Sequence, residues 1–266
     1  MMDILEEIAH YKREFVTRRQ AEKPLVEVVA EVRDCPPTQD FAGALAEEGV
    51  ALIAEVKKAS PSKGIIREDF DPEMLASEYA ANGASALSVL TDEAYFQGCN
   101  AHLQSARAAG SIPVLRKDFT VDPYQIHEAR VIGADAILLI VALMDGGQLE
   151  DFLGIGTELG LSVLVEVHTR EELERALSAQ AALVGINNRD LHTFETRLET
   201  TFELSQFVPP DTTLVSESGV NTRSDVEALQ AAQVAAVLVG EAIMREEDVG
   251  AKVRELTGRG EGQQDE

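Results

Sequence analysis

The sequence predicts an α/β protein, a (β/α)8 or TIM barrel with an N-terminal helical extension. Three observations predict it: eight short apolar runs recur at intervals of roughly 25 residues, helical patterns lie between them, and 266 residues suit one barrel. The runs occupy residues 50–56, 85–90, 112–116, 135–141, 162–167, 182–187, 212–217 and 234–239. Each has the length and the bounding turn residues of a strand that is buried on both faces.

The residues ahead of the first run predict the helical extension. Apolar side chains recur three or four positions apart over residues 3–20, which indicates an amphipathic helix. A second short helix is predicted at 25–32, ahead of two consecutive prolines. A third segment, at 40–47, leads into the first strand.

The segments between the strands carry helix start and stop signals. Asp71 and Asp122 each stand before a proline, which places a side-chain acceptor ahead of the first helical position, and a glycine follows each helix. An open doubly wound sheet is the alternative, but it would have fewer strands and a Gly-rich dinucleotide loop. We predict one barrel domain over residues 1–257, with the extension at 1–48. The polar, Gly-rich residues 258–266 are predicted to be a disordered tail.

The composition excludes several classes of protein. Acidic residues number 47 against 23 basic ones, and a net charge of -24 disfavours nucleic-acid binding because it repels phosphate backbones. An acidic surface of this kind predicts halophilic adaptation, in which concentrated salt screens self-repulsion. No apolar run reaches the ~18 residues of a membrane span, the N-terminus lacks a signal-peptide core, and there are two cysteines. We therefore expect a cytoplasmic protein without a membrane partner, a monomer or a weak homo-oligomer.

Polar side chains follow the predicted strands at the point where each strand ends. Four of the seven lysines fall in two short motifs there, EVKKASPSKG and LRKDF. Because barrel active sites lie at the C-terminal ends of the strands, these residues are the predicted site. They are Glu55, Lys57 and Ser60 on the first strand, Lys117 and Phe119 on the third, Leu138 on the fourth, Glu166 on the fifth, Asn187, Asn188 and Arg189 on the sixth, Glu217, Ser218 and Gly219 on the seventh, and Gly240 and Glu241 on the eighth.

Three of the glutamates, Glu55, Glu166 and Glu217, each come at the end of an apolar run, one on each of three strands. A barrel interior does not accommodate three buried carboxylates unless lysines or a substrate pair with them. Taken singly, each residue also has a structural interpretation, with Glu166 as a rim carboxylate and Lys117 as the counterion of Asp118. Their coincidence on so many strand ends favours an active site.

The last two strands end in glycine turns, SESG and VGEA. Barrels often bind phosphate at these two loops, so the backbone N–H groups of Gly219 and Gly240 are predicted to hold a phosphate. Ser60 or Lys57 would close this site. No metal motif is present, since the five histidines lack an i, i+4 pair, and no cofactor is expected. A Schiff-base mechanism through a lysine remains open.

The motif series EVKKASPSKG, LRKDF, LVEVH, GINNRDL, VSESG and VLVGEA resembles that of the indole-3-glycerol phosphate synthase family, in the same order along the chain. The resemblance implies a lyase of tryptophan biosynthesis without metal or organic cofactor. Its reaction converts 1-(2-carboxyphenylamino)-1-deoxyribulose 5-phosphate into indole-3-glycerol phosphate, CO2 and water. It also implies that the extra helices cover the top of the barrel, and we expect the loop at 58–69 to close on the substrate.

The resemblance also implies roles for the strand-end residues. Glu166 and Lys57 would move protons, with Glu55 holding the network. Lys117, flanked by Arg116, is expected to have a lowered pKa suited to an acid, and which lysine protonates which oxygen stays open. The resemblance assigns Asn187 and Ser218 to the ribulose hydroxyls and a water, Arg189 and Ser60 to the anthranilate carboxylate, Glu217 to substrate binding, and Phe96, Phe119, Leu138 and Leu238 to the aromatic ring.

One position departs from the family pattern, and two other functions are alternatives to the one the resemblance implies. Glu241 stands where the family often has serine, so we expect its backbone N–H to bind phosphate while its side chain turns away. A phosphoribosylanthranilate isomerase would use a cysteine at the end of the first strand, where this chain has Glu and Lys. A barrel that only binds a phosphorylated ligand would not need the lysines and glutamates together.

Overall fold

The structure, a computed structural model, describes residues 4–46, 49–190 and 193–259. The predicted third segment of the extension reaches residue 47, which lies outside the described residues, as do residues 260–266 of the predicted tail. A single domain over residues 1–257 stays a prediction.

Eight parallel strands close into a barrel, as the sequence predicts. The strands are β1 (Ala51–Val56), β2 (Ala86–Leu90), β3 (Val114–Lys117), β4 (Ala136–Ile140), β5 (Ser162–Val167), β6 (Leu183–Asn187), β7 (Thr213–Glu217) and β8 (Ala236–Val239). Each pairs with the next in sequence, and β1 closes the barrel because Ile53 pairs with Leu238 on β8 and with Ala86 on β2. After β1, Ala59–Ser60 and Gly64–Ile65 form a short antiparallel hairpin within the loop at 58–69.

Helices connect the strands and precede the barrel. They are α1 (Ile4–Glu22), α2 (Leu25–Val32), α3 (Phe41–Ala44), α4 (Pro72–Ala81), α5 (Glu93–Phe96), α6 (Asn100–Ala109), α7 (Pro123–Val131), α8 (Gln148–Glu158), α9 (Arg170–Ser178), α10 (Glu199–Ser205), α11 (Arg223–Ala231), α12 (Glu241–Met244) and α13 (Val249–Thr257). The two predicted caps are confirmed. The Asp71 carboxylate accepts hydrogen bonds from the backbone of α4, and that of Asp122 accepts one from α7. Gly83 and Gly133 follow these helices with positive φ, the conformation that ends a helix at least cost for glycine.

The strands bury side chains on both faces, which explains why their apolar runs are continuous. One set fills the barrel interior, for example Ile53, Leu115 and Leu164. The alternate set, such as Leu52 and Val165, packs against the surrounding helices. This two-sided burial, worth roughly 25 cal/mol per Å² of apolar surface, stabilises the barrel on which the site is built.

Helix α1 of the extension lies over the C-terminal end of the barrel. Its residues Ile4, Leu5 and Ile8 line the cavity at that end, together with the ends of the strands. The expected cover of the barrel top is therefore present in α1.

Helix α3 lies at the opposite end, so the expectation that all the extra helices cover the top is wrong. Phe41 is fully buried in the cluster that fills the barrel interior. The chain just before it is anchored where strands begin: Gln39 N donates to Asp135 Oδ1 at 2.7 Å, and Thr38 Oγ1 donates to Gly160 O at 2.7 Å. Several strands start with alanine, which leaves room for the Phe41 ring.

Three further features concern the described part of the chain. No helix there is long and apolar enough to cross a lipid bilayer. No group of three or more His, Cys, Asp or Glu side chains among these residues is placed to hold a metal ion. Cys35 and Cys99 are both free thiols.

Candidate active site

A cavity of about 470 Å³ opens at the C-terminal end of the barrel. Every residue that the sequence predicts for the site lines it, except Asn188. Helix α1 and the loop after β1 contribute the remaining wall. The structure therefore brings the predicted residues together, while their individual roles stay predictions.

Lys117 is the centre of the polar half of the cavity. Its Nζ donates to Glu166 Oε2 at 2.8 Å and to Glu217 Oε2 at 2.9 Å, and its side chain is 13% exposed. Burial acts to lower the pKa of Lys117, but the carboxylates of Glu166, Glu217 and Glu55 outweigh it and hold the pKa above its ordinary value. The expectation of a lowered pKa is therefore wrong, and Lys117 stays an ammonium ion.

The neighbours of Lys117 in sequence point away from it, because successive side chains of a strand face opposite sides. The Arg116 guanidinium turns outward and donates to Glu128 Oε2 at 2.7 Å, so it does not repel Lys117. Asp118 forms ion pairs with Lys12 at 2.7 Å and with Arg116 at 3.5 Å. The interpretation of Lys117 as the counterion of Asp118 is thus wrong too.

The two carboxyl groups that share Lys117 have opposite pKa shifts. Burial acts to raise the pKa of Glu166, but Lys117 and His168 outweigh it and bring the pKa down to about 2. Burial, together with the nearby charge of Glu166, raises the pKa of Glu217 to about 7 although Lys117 opposes it. Two acids with pKa values pushed apart can act as base and as acid in one site. Glu166 is the ionised member, and Glu217 is the one that takes up a proton more readily.

Glu55 and Lys57 form an ion pair on the opposite wall, between Glu55 Oε1 and Lys57 Nζ. Two glycines, one within β6 and one directly after β8, make room for the carboxylates of the strands beside them. A Cβ on Gly240 would lie 2.3 Å from Glu55 Oε1, and one on Gly185 would lie 2.1 Å from Glu217 Oε1. Sequence reasoning missed the role of Gly185. The only sign of it was that a glycine stands within the sixth strand, where it can indicate the close approach of another group.

The motif GINNRD divides between the cavity and the core. Asn187 Nδ2 donates to Glu166 Oε1 at 3.2 Å, and Arg189 N donates to Asn187 Oδ1 at 3.0 Å. Asn188 is buried outside the cavity, where its amide bonds Ser216 and Thr201. The hydrogen bonds of Asn188 therefore connect β6 to β7, and the hydrogen bond of Asn187 orients the Glu166 carboxylate.

The two predicted phosphate loops lie side by side at one end of the cavity. Ser218 and Gly219 both have positive φ, which bends the chain sharply after β7, and Gly240 precedes α12. The Glu241 carboxylate pairs with Arg245 and lies 3.4 Å from Arg189 Nη2. The expectation that this side chain turns away from the cavity is not met in full, because Arg189 is itself a lining residue.

The other half of the cavity is apolar. The rings of Phe96 and Phe119 lie 6.0 Å apart between centroids, and Leu138 and Leu238 close the barrel side. The roof consists of the α1 residues, which sequence reasoning did not place in the site. Their signal was the apolar stripe of the first helix.

The family model for indole-3-glycerol phosphate synthase matches residues 5–256. The chain belongs to the indole-3-glycerol phosphate synthase family. It is also 51% identical over 260 residues to the indole-3-glycerol phosphate synthase of Acidithiobacillus ferrooxidans, covering 96% of this chain and 99% of that protein. Membership of the indole-3-glycerol phosphate synthase family makes the chain a carboxy-lyase, with tryptophan biosynthesis implied, and decides against the isomerase alternative.

Solved structures of other proteins share only the fold. A 3-hexulose-6-phosphate synthase superposes with a TM-score of 0.63 at 15% identity, covering 79% of this chain and 99% of that one. A thiamine phosphate pyrophosphorylase from Pyrococcus furiosus gives 0.59 at 18% identity, covering 78% and 93%. Both likenesses support the barrel, and the family assignment rests on the sequence matches.

Proposed function

We propose that this cavity converts 1-(2-carboxyphenylamino)-1-deoxyribulose 5-phosphate into indole-3-glycerol phosphate, CO2 and water, with side chains as its only acids and bases. The observation that carries the proposal is the Lys117 ammonium held between Glu166 and Glu217 beside an apolar chamber. The chamber suits an aromatic ring, and the lysine and carboxylates suit several proton transfers at one end of it.

The substrate would lie across the cavity. Phe96, Phe119, Leu138 and Leu238 would enclose its ring, where low polarity favours neutral CO2 over a carboxylate. The backbone N–H groups of Gly219, Gly240 and Glu241 would hold the phosphate. Arg189 and Ser60 would orient the carboxylate. Ser60 Oγ is buried and bonds no other described residue, which leaves it available to a ligand.

Ring closure requires an acid at the ketone oxygen while the aryl carbon attacks. Lys117 would supply the proton, since negative charge develops on that oxygen only in the transition state and an ammonium in a buried site stabilises it strongly. Glu217, which accepts a hydrogen bond from Lys117 at 2.9 Å, would keep the ammonium in place. Loss of CO2 then restores the aromatic ring.

Dehydration requires a base at the former methylene carbon and an acid at the departing hydroxyl. The ionised Glu166 would accept the carbon-bound proton, and Asn187 would hold its second oxygen. Lys57, paired with Glu55, would protonate the hydroxyl from the opposite wall. Asn187 and Ser218 would position the ribulose hydroxyls.

Turnover of the proposed substrate tests the whole assignment. Purified protein incubated with it is expected to produce the fluorescence of indole-3-glycerol phosphate together with one CO2 for each molecule formed. A barrel that only binds its ligand would show binding by calorimetry and neither product. That result would remove the catalytic assignment while leaving the phosphate site intact.

We further propose a cytoplasmic protein, monomeric or weakly self-associating, without nucleic-acid or membrane partners. The net charge of -24 and the two free cysteines support this environment. Small-angle scattering and salt-dependent retention on immobilised nucleic acid would test these assignments.

The excess of 24 negative charges predicts that salt stabilises the fold. The melting temperature is expected to rise between dilute buffer and ~1 M NaCl, because the screening length falls from roughly 30 Å at 0.01 M to roughly 3 Å at 1 M. KCl should give the same rise, which separates screening from binding of a particular ion. An unchanged melting temperature in both salts would contradict halophilic adaptation.

A further inference from the structure

His168 is a partly buried titratable residue to which the mechanism above gives no role. It directly follows β5, two positions after Glu166. Its Nε2 lies 3.5 Å from Glu166 Oε1, and its Nδ1 lies 3.4 Å from Glu172 Oε2. Nε2 has no well-aligned hydrogen bond to any described residue, so it faces the catalytic carboxylate with its bonding capacity unused.

Glu172 fixes this orientation. Its Oε2 accepts a hydrogen bond from the His168 backbone N–H at 2.6 Å and also faces the ring nitrogen Nδ1. A carboxylate at Nδ1 keeps a proton there and orients the ring, which directs Nε2 toward Glu166. Glu172 belongs to the first turn of α9, so the helix holds the pair rigidly.

Glu166 therefore faces Lys117 and His168 through its two oxygens. Oε2 accepts from Lys117 at 2.8 Å, and Oε1 faces His168. The Glu166 side chain is only 3% exposed, whereas that of His168 is 12% exposed. The imidazole beside Oε1 can therefore give a proton to Glu166 or take one from it.

The reaction needs a group that can give protons to the site and take them back. The ketone oxygen leaves as water and so gains two protons, while the methylene carbon returns one, and the carboxylate leaves as CO2 without one. Each turnover therefore consumes one proton from solvent. In addition, Lys117 loses its proton at ring closure, yet Glu166 must be an ionised base again at dehydration.

We propose that His168 is a positioning residue that acts through Glu166, as a proton reservoir for the Glu166–Lys117 pair. After ring closure its Nε2–H bond breaks, the electron pair stays on nitrogen, and the proton passes through the Glu166 carboxylate to neutral Lys117. At dehydration Glu166 accepts the carbon-bound proton and returns it to Nε2. Lys117, Glu166 and His168 then regain their starting states, and Lys57 draws the net proton from solvent. The inference rests on the proposed function.

The groups around His168 support a charged ring. Glu166 faces it from β5, Glu172 from α9 and Glu217 from β7, while Lys117 on β3 is the opposing charge beyond Glu166. Burial acts to lower the pKa of His168, but the three carboxylates outweigh it and raise the pKa. The wild-type kcat is therefore expected to fall as pH rises through that raised pKa, because only the imidazolium can give up a proton.

Two variants separate a reservoir from a simple hydrogen bond. His168→Gln keeps a donor that can reach Glu166 but cannot exchange protons, and His168→Ala leaves space for free imidazole. We expect His168→Gln to lower kcat ~10-fold or more with KM little changed, short of the ~10²–10⁴-fold effect of a group that transfers protons to substrate itself. It should also lose the fall in kcat at high pH. Imidazole in the buffer should restore part of the kcat of His168→Ala.

His127→Asn is the matched control, since His127 is half-buried on α7, away from the cavity, and should keep the wild-type kcat and pH profile with no response to imidazole. Wild-type kcat and pH profile in His168→Gln would overturn the reservoir, as would a His168→Ala variant that imidazole does not rescue. Absence of turnover in the wild type would instead overturn the proposed function.

Discussion

Lys117→Met is expected to lower kcat by at least ~100-fold, the lower end of general acid–base effects. The substitution removes the proton donor at the ketone oxygen and leaves the carboxylates of Glu166 and Glu217 without their shared cation. Methionine keeps most of the side-chain volume, so the cavity should not collapse. Single-turnover fluorescence at saturating substrate measures the chemical step directly. Lys252→Met is the matched control, because among the described residues Lys252 pairs only with the neighbouring Glu255 on α13.

The same substitution should move two pKa values in a defined direction. The Lys117 ammonium lowers the pKa of both Glu166 and Glu217, so its removal should raise both, Glu217 from its starting value of about 7. Titration of carbon-13-labelled glutamate side chains by NMR measures the change. A Glu217 that still titrates near 7 in the variant, or a loss of kcat no larger than that of Lys252→Met, would contradict the central place of Lys117.

The raised pKa of Glu217 also has a consequence for stability. Its pKa is about 7 in the folded chain against 4.5 ordinarily, so the folded state binds more protons between these values. Stability should therefore fall, through this group, as pH rises from 4.5 to 7. A carboxyl group that destabilises the fold near neutrality is expected at a site arranged for catalysis.

The sequence predicted what local patterns determine. Strands buried on both faces produce continuous apolar runs, and the Asp-Pro pairs at 71–72 and 122–123 begin helices whatever surrounds them. In a barrel the C-terminal ends of the strands lie together, so the predicted site residues converge on one cavity. The roles assigned to them stay predictions. These features depend on neighbours in sequence or on the general rule for barrels.

What the sequence could not predict depends on contacts between distant segments. The direction of Arg116 follows from the register of β3, whereas the sequence alone places a cation beside Lys117. The position of α3 depends on the alanines that begin several strands and leave room for Phe41. The sequence pattern of each strand taken alone does not reveal that these alanines meet. Gly185 is required only because the Glu217 carboxylate of the next strand occupies the space of a Cβ.

Lys12 makes the long-range contacts with the largest expected effect on stability. It lies on α1 with its side chain 1% exposed, and its Nζ forms ion pairs at 2.7 Å with both Asp92 and Asp118. Asp118 adjoins Lys117, and its Oδ1 also accepts the backbone N–H of Phe119 at 2.8 Å. One ammonium thus connects the roof helix to the end of β3, where the catalytic lysine and an aromatic wall residue lie.

Lys12→Met is expected to lower the free energy of unfolding by ~3–5 kcal/mol, because breaking a buried ion pair leaves an uncompensated charge. Asp118 keeps Arg116 and Thr91, but Asp92 is fully buried and loses its cation. Urea denaturation measures the loss, and KM should rise as well, since α1 carries Ile4, Leu5 and Ile8 of the cavity roof. Lys23→Met is the control, because Lys23 pairs with Glu31 at the surface, where a pair contributes ~0–1 kcal/mol.

The sign of the pH dependence gives a second test of Lys12. Burial acts to lower the pKa of Lys12, but Asp118 and Asp92 raise it above 10.5; burial acts to raise the pKa of Asp118, but Lys12 and Arg116 lower it below 3.8. The pair therefore stabilises the wild type fully between pH 3.8 and 10.5, losing this contribution only below and above that window through the shifted values. Adding Asp92→Asn to Lys12→Met removes the uncompensated carboxylate, so part of the lost stability should return. If the double variant were no more stable than Lys12→Met, the buried charge of Asp92 would not be the cause of the loss.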